Sequence, residues 1–210
     1  MLKHELRPLF SSPVWLFNLE ETYEGITQMV AMDGKNYCNM ITQARKNATE
    51  EKPFNHVDYN FLDFPGYGTD KLRQSLKEAI DVIAENRGWK NFTYKYRTRH
   101  NSYAPLESDT PHFHSVADMV GVFYTVVPPN SGDILFFETR GAIYHPWTDP
   151  YISTDSKGRP GRVFHRYSPV PGVLVLFPSY LFHEVETNLS DEYRMGIVMD
   201  IKIEMPEYGH

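Results

Sequence analysis

At Phe92 the chain changes its hydrophobic period, and that change limits the folds open to it. Upstream, Leu72, Leu76, Ala79, Ile80 and Ile83 recur at helical spacing. A helix is expected there from an Asp70 N-cap to about Asn86, with Gly88 as its stop. A weaker helical pattern covers about Glu20 to Asn47 and is expected to break near Gly34. From Phe92 the period is 2: in Phe92-Thr93-Tyr94-Lys95-Tyr96-Arg97-Thr98-Arg99 the aromatics fall on one face and the cations on the other. Those cations form either a solvated strand face or a basic rim that attracts an anion.

Further strands are expected at 119–127, 134–138, 173–177, 182–187 and 193–203. Short strands with Gly/Pro punctuation suggest an antiparallel sandwich or jelly roll, and helices first with strands later make the class α+β. We expect a single domain over residues 1–210: a mostly helical support to residue 90, then a core over 91–205. The interval Thr139–Pro171 is long and rich in Gly, Pro and aromatics, as expected of a lid or insert.

Composition narrows the function classes. A net charge of −6 opposes a surface built to grip nucleic acid, so duplex DNA is the least expected partner. The one cysteine, Cys38, rules out an intramolecular disulfide. No apolar run reaches the roughly 18 residues of a membrane span, and the first residues lack a signal-like core. The expected setting is cytoplasmic.

Two of the nine histidines form His112-Phe113-His114, just before an apolar strand. If extended, the pair shares one face, about 6–7 Å apart at the backbone, and can converge on one ion. His183 follows the nearly all-apolar run 173–182. Burying it there is costly unless both ring nitrogens are satisfied, by a metal or by a hydrogen-bonded neighbour. The turn Asn188-Leu189-Ser190-Asp191 is expected to close a hairpin between the His183 strand and the strand that carries Arg194. In that register residue 183 faces 196, and Arg194 is its diagonal neighbour on the same face. Metal and guanidinium could then hold the two ends of a diacid.

These blocks resemble the 2-oxoglutarate/iron(II) oxygenase superfamily in its prolyl-hydroxylase-like branch, and in particular a group of oxygenases from bacteria and phages. Pro111-His112-Phe113-His114 with Gly121-Val122-Phe123-Tyr124 resembles the first-ligand block. Gly172–Ser179 with His183 resembles the third-ligand strand, and Leu9–Trp15 the N-terminal signature. The H-x10-R spacing of His183 and Arg194 is the specific part.

The resemblance implies a double-stranded β-helix, with the N-terminal helices packed on one sheet. It also implies Fe(II), the cosubstrate 2-oxoglutarate, and O2. Substrate C–H hydroxylation with release of succinate and CO2 follows from it. His112, His114 and His183 would hold the metal, and Arg194, Tyr103 and Tyr124 the cosubstrate. In the wider superfamily the second position is usually a carboxylate; here it is His114, and Asp118 is the alternative second ligand. Lid residues Tyr144, His145, Trp147, Tyr151, His165 and Arg166 are candidate contacts to an unidentified substrate, a small molecule or a peptide. Two other readings stay open: a three-histidine cupin-type metalloenzyme without cosubstrate, and a non-catalytic jelly-roll binding module.

Overall fold

Nine strands and two long helices make up the computed structural model, which describes residues 12–51, 53–55, 59–137 and 164–206. In chain order they are β1 (Trp15–Asn18), α1 (Ile26–Lys46), α2 (Tyr67–Arg87), β2 (Thr93–Tyr103), β3 (Asp109–His112), β4 (Met119–Val126), β5 (Ile134–Phe137), β6 (Phe164–Tyr167), β7 (Val173–Pro178), β8 (His183–Val185) and β9 (Arg194–Glu204). A short 3-10 turn, Phe61–Asp63, precedes α2. The strands form two antiparallel sheets, a larger one ordered β1-β7-β4-β9-β2 and a smaller one ordered β3-β8-β5-β6. With the helices this is the expected α+β jelly roll.

The period-2 strands divide their side chains between two apolar layers. Phe123, Leu174, Leu176, Ile197, Met199 and Ile201 point outward and pack with Ile26, Val30, Leu72, Leu76, Ile80 and Ile83 of the helices. The alternate residues Val120, Tyr124, Val175, Phe177 and Val198 point inward and meet Ile134, Phe136 and Leu181. In β2 the same alternation sends Tyr94 and Tyr96 to the helices and leaves Lys95, Arg97 and Arg99 on the exposed face.

Four expectations change. The helix α1 runs through Gly34 without a break, because the missing side chain there admits the His100 ring. A Cβ at position 34 would lie 2.8 Å from His100 Cδ2. Asp70 is not the cap of α2: the helix starts at Tyr67, and the carboxylate of buried Asp33 on α1 accepts from the Thr69 backbone N–H at 2.9 Å. Asp70 sits in the first turn, where acidic charge suits the helix N-terminus, and Gly88 ends the helix at φ 69° as expected. The N-terminal part also contributes a strand, β1, which the sequence reading missed; it lengthens the larger sheet by pairing with β7. Finally, the expected lid is not structureless throughout, since β6 pairs with β5 along the edge of the smaller sheet. Among the described residues no helix is long and apolar enough to cross a membrane.

Candidate metal and cosubstrate site

Three imidazoles meet between the sheets. His112 and His183 are directly opposed partners on β3 and β8, and His114 follows the end of β3. One ligand atom from each of the three lies within 4.8 Å of the others. Ring centroids are 4.4 Å apart for His112 and His183, and 5.3 Å for His114 with either.

The outward nitrogens fix the tautomers. His112 Nδ1 lies 2.7 Å from the Thr110 carbonyl oxygen and His183 Nδ1 lies 2.9 Å from that of Leu181. A carbonyl only accepts, so each Nδ1 carries a proton, and Nε2 is the nitrogen left to face a metal. His114 Nδ1 is 2.5 Å from Asp200 Oδ1, which imposes the same tautomer. Burial pushes the His183 pKa down to about 4, and neighbouring His112 and His114 push in the same direction. A preoriented imidazole set of this kind fits a divalent first-row metal.

Asp118 is not part of the cluster. Its carboxylate pairs with Lys202 at 2.9 Å and accepts from the Ile203 backbone N–H at 2.8 Å. That disposes of it as the alternative second ligand.

Arg194 opens β9 opposite Tyr103 of β2, and the residue is only 2% exposed. Its Nη1 donates to the Gly132 carbonyl at 2.9 Å and, longer, to that of Ser131 at 3.4 Å. The guanidinium carbon stands 5.3 Å from the Tyr124 ring centre and 5.9 Å from that of Tyr103. Among the described residues no carboxylate forms an ion pair with it. A buried guanidinium so placed calls for an anion. Tyr103 donates to Asp109 at 3.2 Å and accepts from Asn101 at 2.9 Å. Burial, with Asp109 beside it, pushes the Tyr103 phenol up to about 12, and burial raises Tyr124 as well. Both phenols therefore stay protonated near an incoming anion. One cavity is lined by the three histidines, Arg194 and both tyrosines.

The expected hairpin does not exist. β8 pairs with β3 and β5, whereas β9 pairs with β2 and β4 in the other sheet. The turn after β8 thus carries the chain from one sheet to the other. His183 and Arg194 reach the same cavity from opposite walls rather than as diagonal neighbours.

Residues 100–200 match the model of the family described as "Putative 2OG-Fe(II) oxygenase". The matched segment carries this site and is similar to that oxygenase family. That family uses Fe(II), 2-oxoglutarate and O2, and the three histidines here suit the metal. A prolyl-4-hydroxylase from Pseudomonas putida is structurally similar with a TM-score of 0.53 and 14% identity, over 84% of this chain and 81% of that one. A prolyl hydroxylase from Trichoplax adhaerens, solved with a fragment of a hypoxia inducible factor oxygen degradation domain, gives 0.56 and 12%, over 90% and 83%. At such identity the likeness shows a shared fold. No curated protein matches the sequence.

Of the residues expected to touch substrate, Tyr144, His145, Trp147 and Tyr151 lie outside the described residues. His165 is exposed on β6, opposite Phe136, which is itself opposite His183. Arg166 is engaged with Asp133 at 3.2 Å and Glu186 at 2.8 Å, and it does not line the histidine cavity. Two polar residues of the matched segment escaped the sequence reading, Asp200 and Asp109. For Asp200 a signal was present: one carboxylate interrupts the apolar run Gly196–Ile201, and a charge in such a strand needs a partner.

Proposed function

We propose that this chain hydroxylates a C–H bond of a small-molecule or peptide substrate, coupled to conversion of 2-oxoglutarate to succinate and CO2. One oxygen atom of O2 enters the substrate and the other enters succinate, so the reaction balances without a further reductant. The observation that carries this reading is Arg194, a buried cation without a carboxylate partner among the described residues, sharing a cavity with three convergent imidazoles.

In this reading His112, His114 and His183 hold the iron through their Nε2 atoms. Arg194 pairs bidentately with the distal carboxylate of 2-oxoglutarate. The gap between the two walls sets which diacid fits. Tyr103 and Tyr124 close the sides of the pocket and present protonated phenols to the bound anion. Iron, when bound, supplies oxygen activation linked to decarboxylation of the cosubstrate. Apolar Val120, Val122, Ile134 and Val198 line the same cavity and limit water in it.

A three-histidine metalloenzyme without cosubstrate would use the same imidazoles, but it gives Arg194 no role. Screening peptides, amino acids and small metabolites with Fe(II) and 2-oxoglutarate tests the proposal. The expected outcome is succinate in equal amount to a product heavier by one oxygen. A product formed at full rate without 2-oxoglutarate would contradict it.

A further inference from the structure

Three neutral imidazoles leave a divalent ion with its charge uncompensated by the ligands themselves. The cavity nevertheless has a carboxylate directly behind one ligand. Asp200 stands on β9, in the wall opposite His112 and His183, and its side chain is only 13% exposed. One oxygen, Oδ1, accepts from His114 Nδ1–H at 2.5 Å, and the other, Oδ2, accepts from Arg99 Nη1 at 3.1 Å. Both carboxylate oxygens are therefore committed, one toward the ligand and one toward a cation on the neighbouring strand β2. Arg99 is half exposed, so Asp200 is held from the solvent side and aimed inward.

We propose that Asp200 is the positioning residue for His114, fixing its ring and supplying through the imidazole the negative charge that a directly bound carboxylate would supply. Arg99 keeps that carboxylate in place. The inference rests on the three-histidine ligand set proposed above. The physical basis is general: a carboxylate on the far nitrogen of a ligating histidine raises its basicity and locks its orientation, and losing it typically costs about 10–100-fold in metal affinity. The arrangement gives His114 a reason to be histidine, since its Nδ1 passes the influence of Asp200 on to Nε2.

Co(II) binding to metal-stripped protein, followed by calorimetry and by the visible d–d spectrum, separates the possibilities. For Asp200→Asn the expected results are affinity lower by about 10–100-fold, an altered d–d spectrum, and an unfolding midpoint of the metal-free protein close to wild type. Arg99→Met is expected to weaken Co(II) binding by a smaller factor. If Asp200→Asn binds Co(II) within about twofold of wild type with an unchanged spectrum, while His183→Ala loses binding, the positioning role is wrong and the ligand set stands. If His183→Ala binds Co(II) like wild type, the ligand set itself is wrong and this inference falls with it. Should Asp200→Asn fail to fold, Asp200→Glu replaces it. Moving the carboxylate by one methylene is expected to shift the spectrum, and an unshifted spectrum with wild-type affinity overturns the proposal.

Discussion

His112 and His183 are direct partners across β3 and β8, and their rings stand 4.4 Å apart. Two backbone carbonyls hold their outer nitrogens, so both rings are set before any ion arrives. Removing either ring should cost more than the roughly 10–100-fold that loss of an outer-shell partner costs. Calorimetric Fe(II) titration of His112→Ala and His183→Ala under anaerobic conditions checks this. Near-normal affinity in either variant would remove that residue from the ligand set.

Arg194 should matter to the cosubstrate and not to the metal. Arg194→Ala is expected to raise the KM for 2-oxoglutarate by about 10–100-fold, the scale of a lost charge-assisted hydrogen-bond pair. Arg194→Lys should recover only part of this, because a point charge lacks the planar fork. Fe(II) affinity without cosubstrate should stay within a few-fold of wild type. A variant that loses Fe(II) binding but keeps its KM would assign Arg194 to a different task.

The buried His183 gives the metal-free protein a pH signature. Its folded pKa lies at about 4, below the ordinary value of 6.5. Between those values the unfolded chain binds the extra proton, so stability rises with pH. The contribution is intact above about pH 6.5, shrinks as the pH falls, and is fully lost below about pH 4, with a size on the order of 3 kcal/mol. Urea unfolding of wild type and His183→Gln at pH 5 and pH 7 tests it. Wild type should lose more stability than the variant on acidification, and equal losses would show that His183 is not held neutral by the fold.

At the crossing of α1 and α2, a Cβ on Gly68 would lie 2.5 Å from the Met29 carbonyl carbon and 2.6 Å from Val30 N. These are backbone atoms, so the helices themselves must separate to admit it. Gly68→Ala is expected to destabilise the protein by about 1–3 kcal/mol, the usual cost of overpacking. Thermal unfolding would show this as a clear drop in midpoint; an unchanged midpoint would mean that the crossing is looser than drawn.

The strands were legible because burial forces a choice of face at every residue. In β7, Leu174 and Leu176 go to the helices while Val175 and Phe177 go inward. The histidine cluster was legible for a related reason, since a polar ring beside apolar strands needs a partner. What periodicity could not convey was which strand pairs with which. The turn at Asn188–Asp191 looks locally like a hairpin, yet the chain uses it to change sheets, so the link between His183 and Arg194 was inferred through the wrong geometry. Gly34 misled in the same way: its local cost to the helix is outweighed by the room it gives His100, a contact 66 positions away in sequence. Asp200 depended on long-range placement too, because its partners His114 and Arg99 come from elements distant in the chain.

One cavity is proposed to hold iron and a diacid together. Anaerobic titration of 2-oxoglutarate into the protein with and without one equivalent of Fe(II), followed by oxygen and assay of succinate, tests it directly. We expect one Fe(II) per chain, 2-oxoglutarate binding that tightens when the metal is present, and succinate formation that vanishes in His183→Ala and falls in Arg194→Ala at 2-oxoglutarate concentrations near the wild-type KM. Tight 2-oxoglutarate binding indifferent to Fe(II), or succinate formation undiminished in either variant, would contradict it.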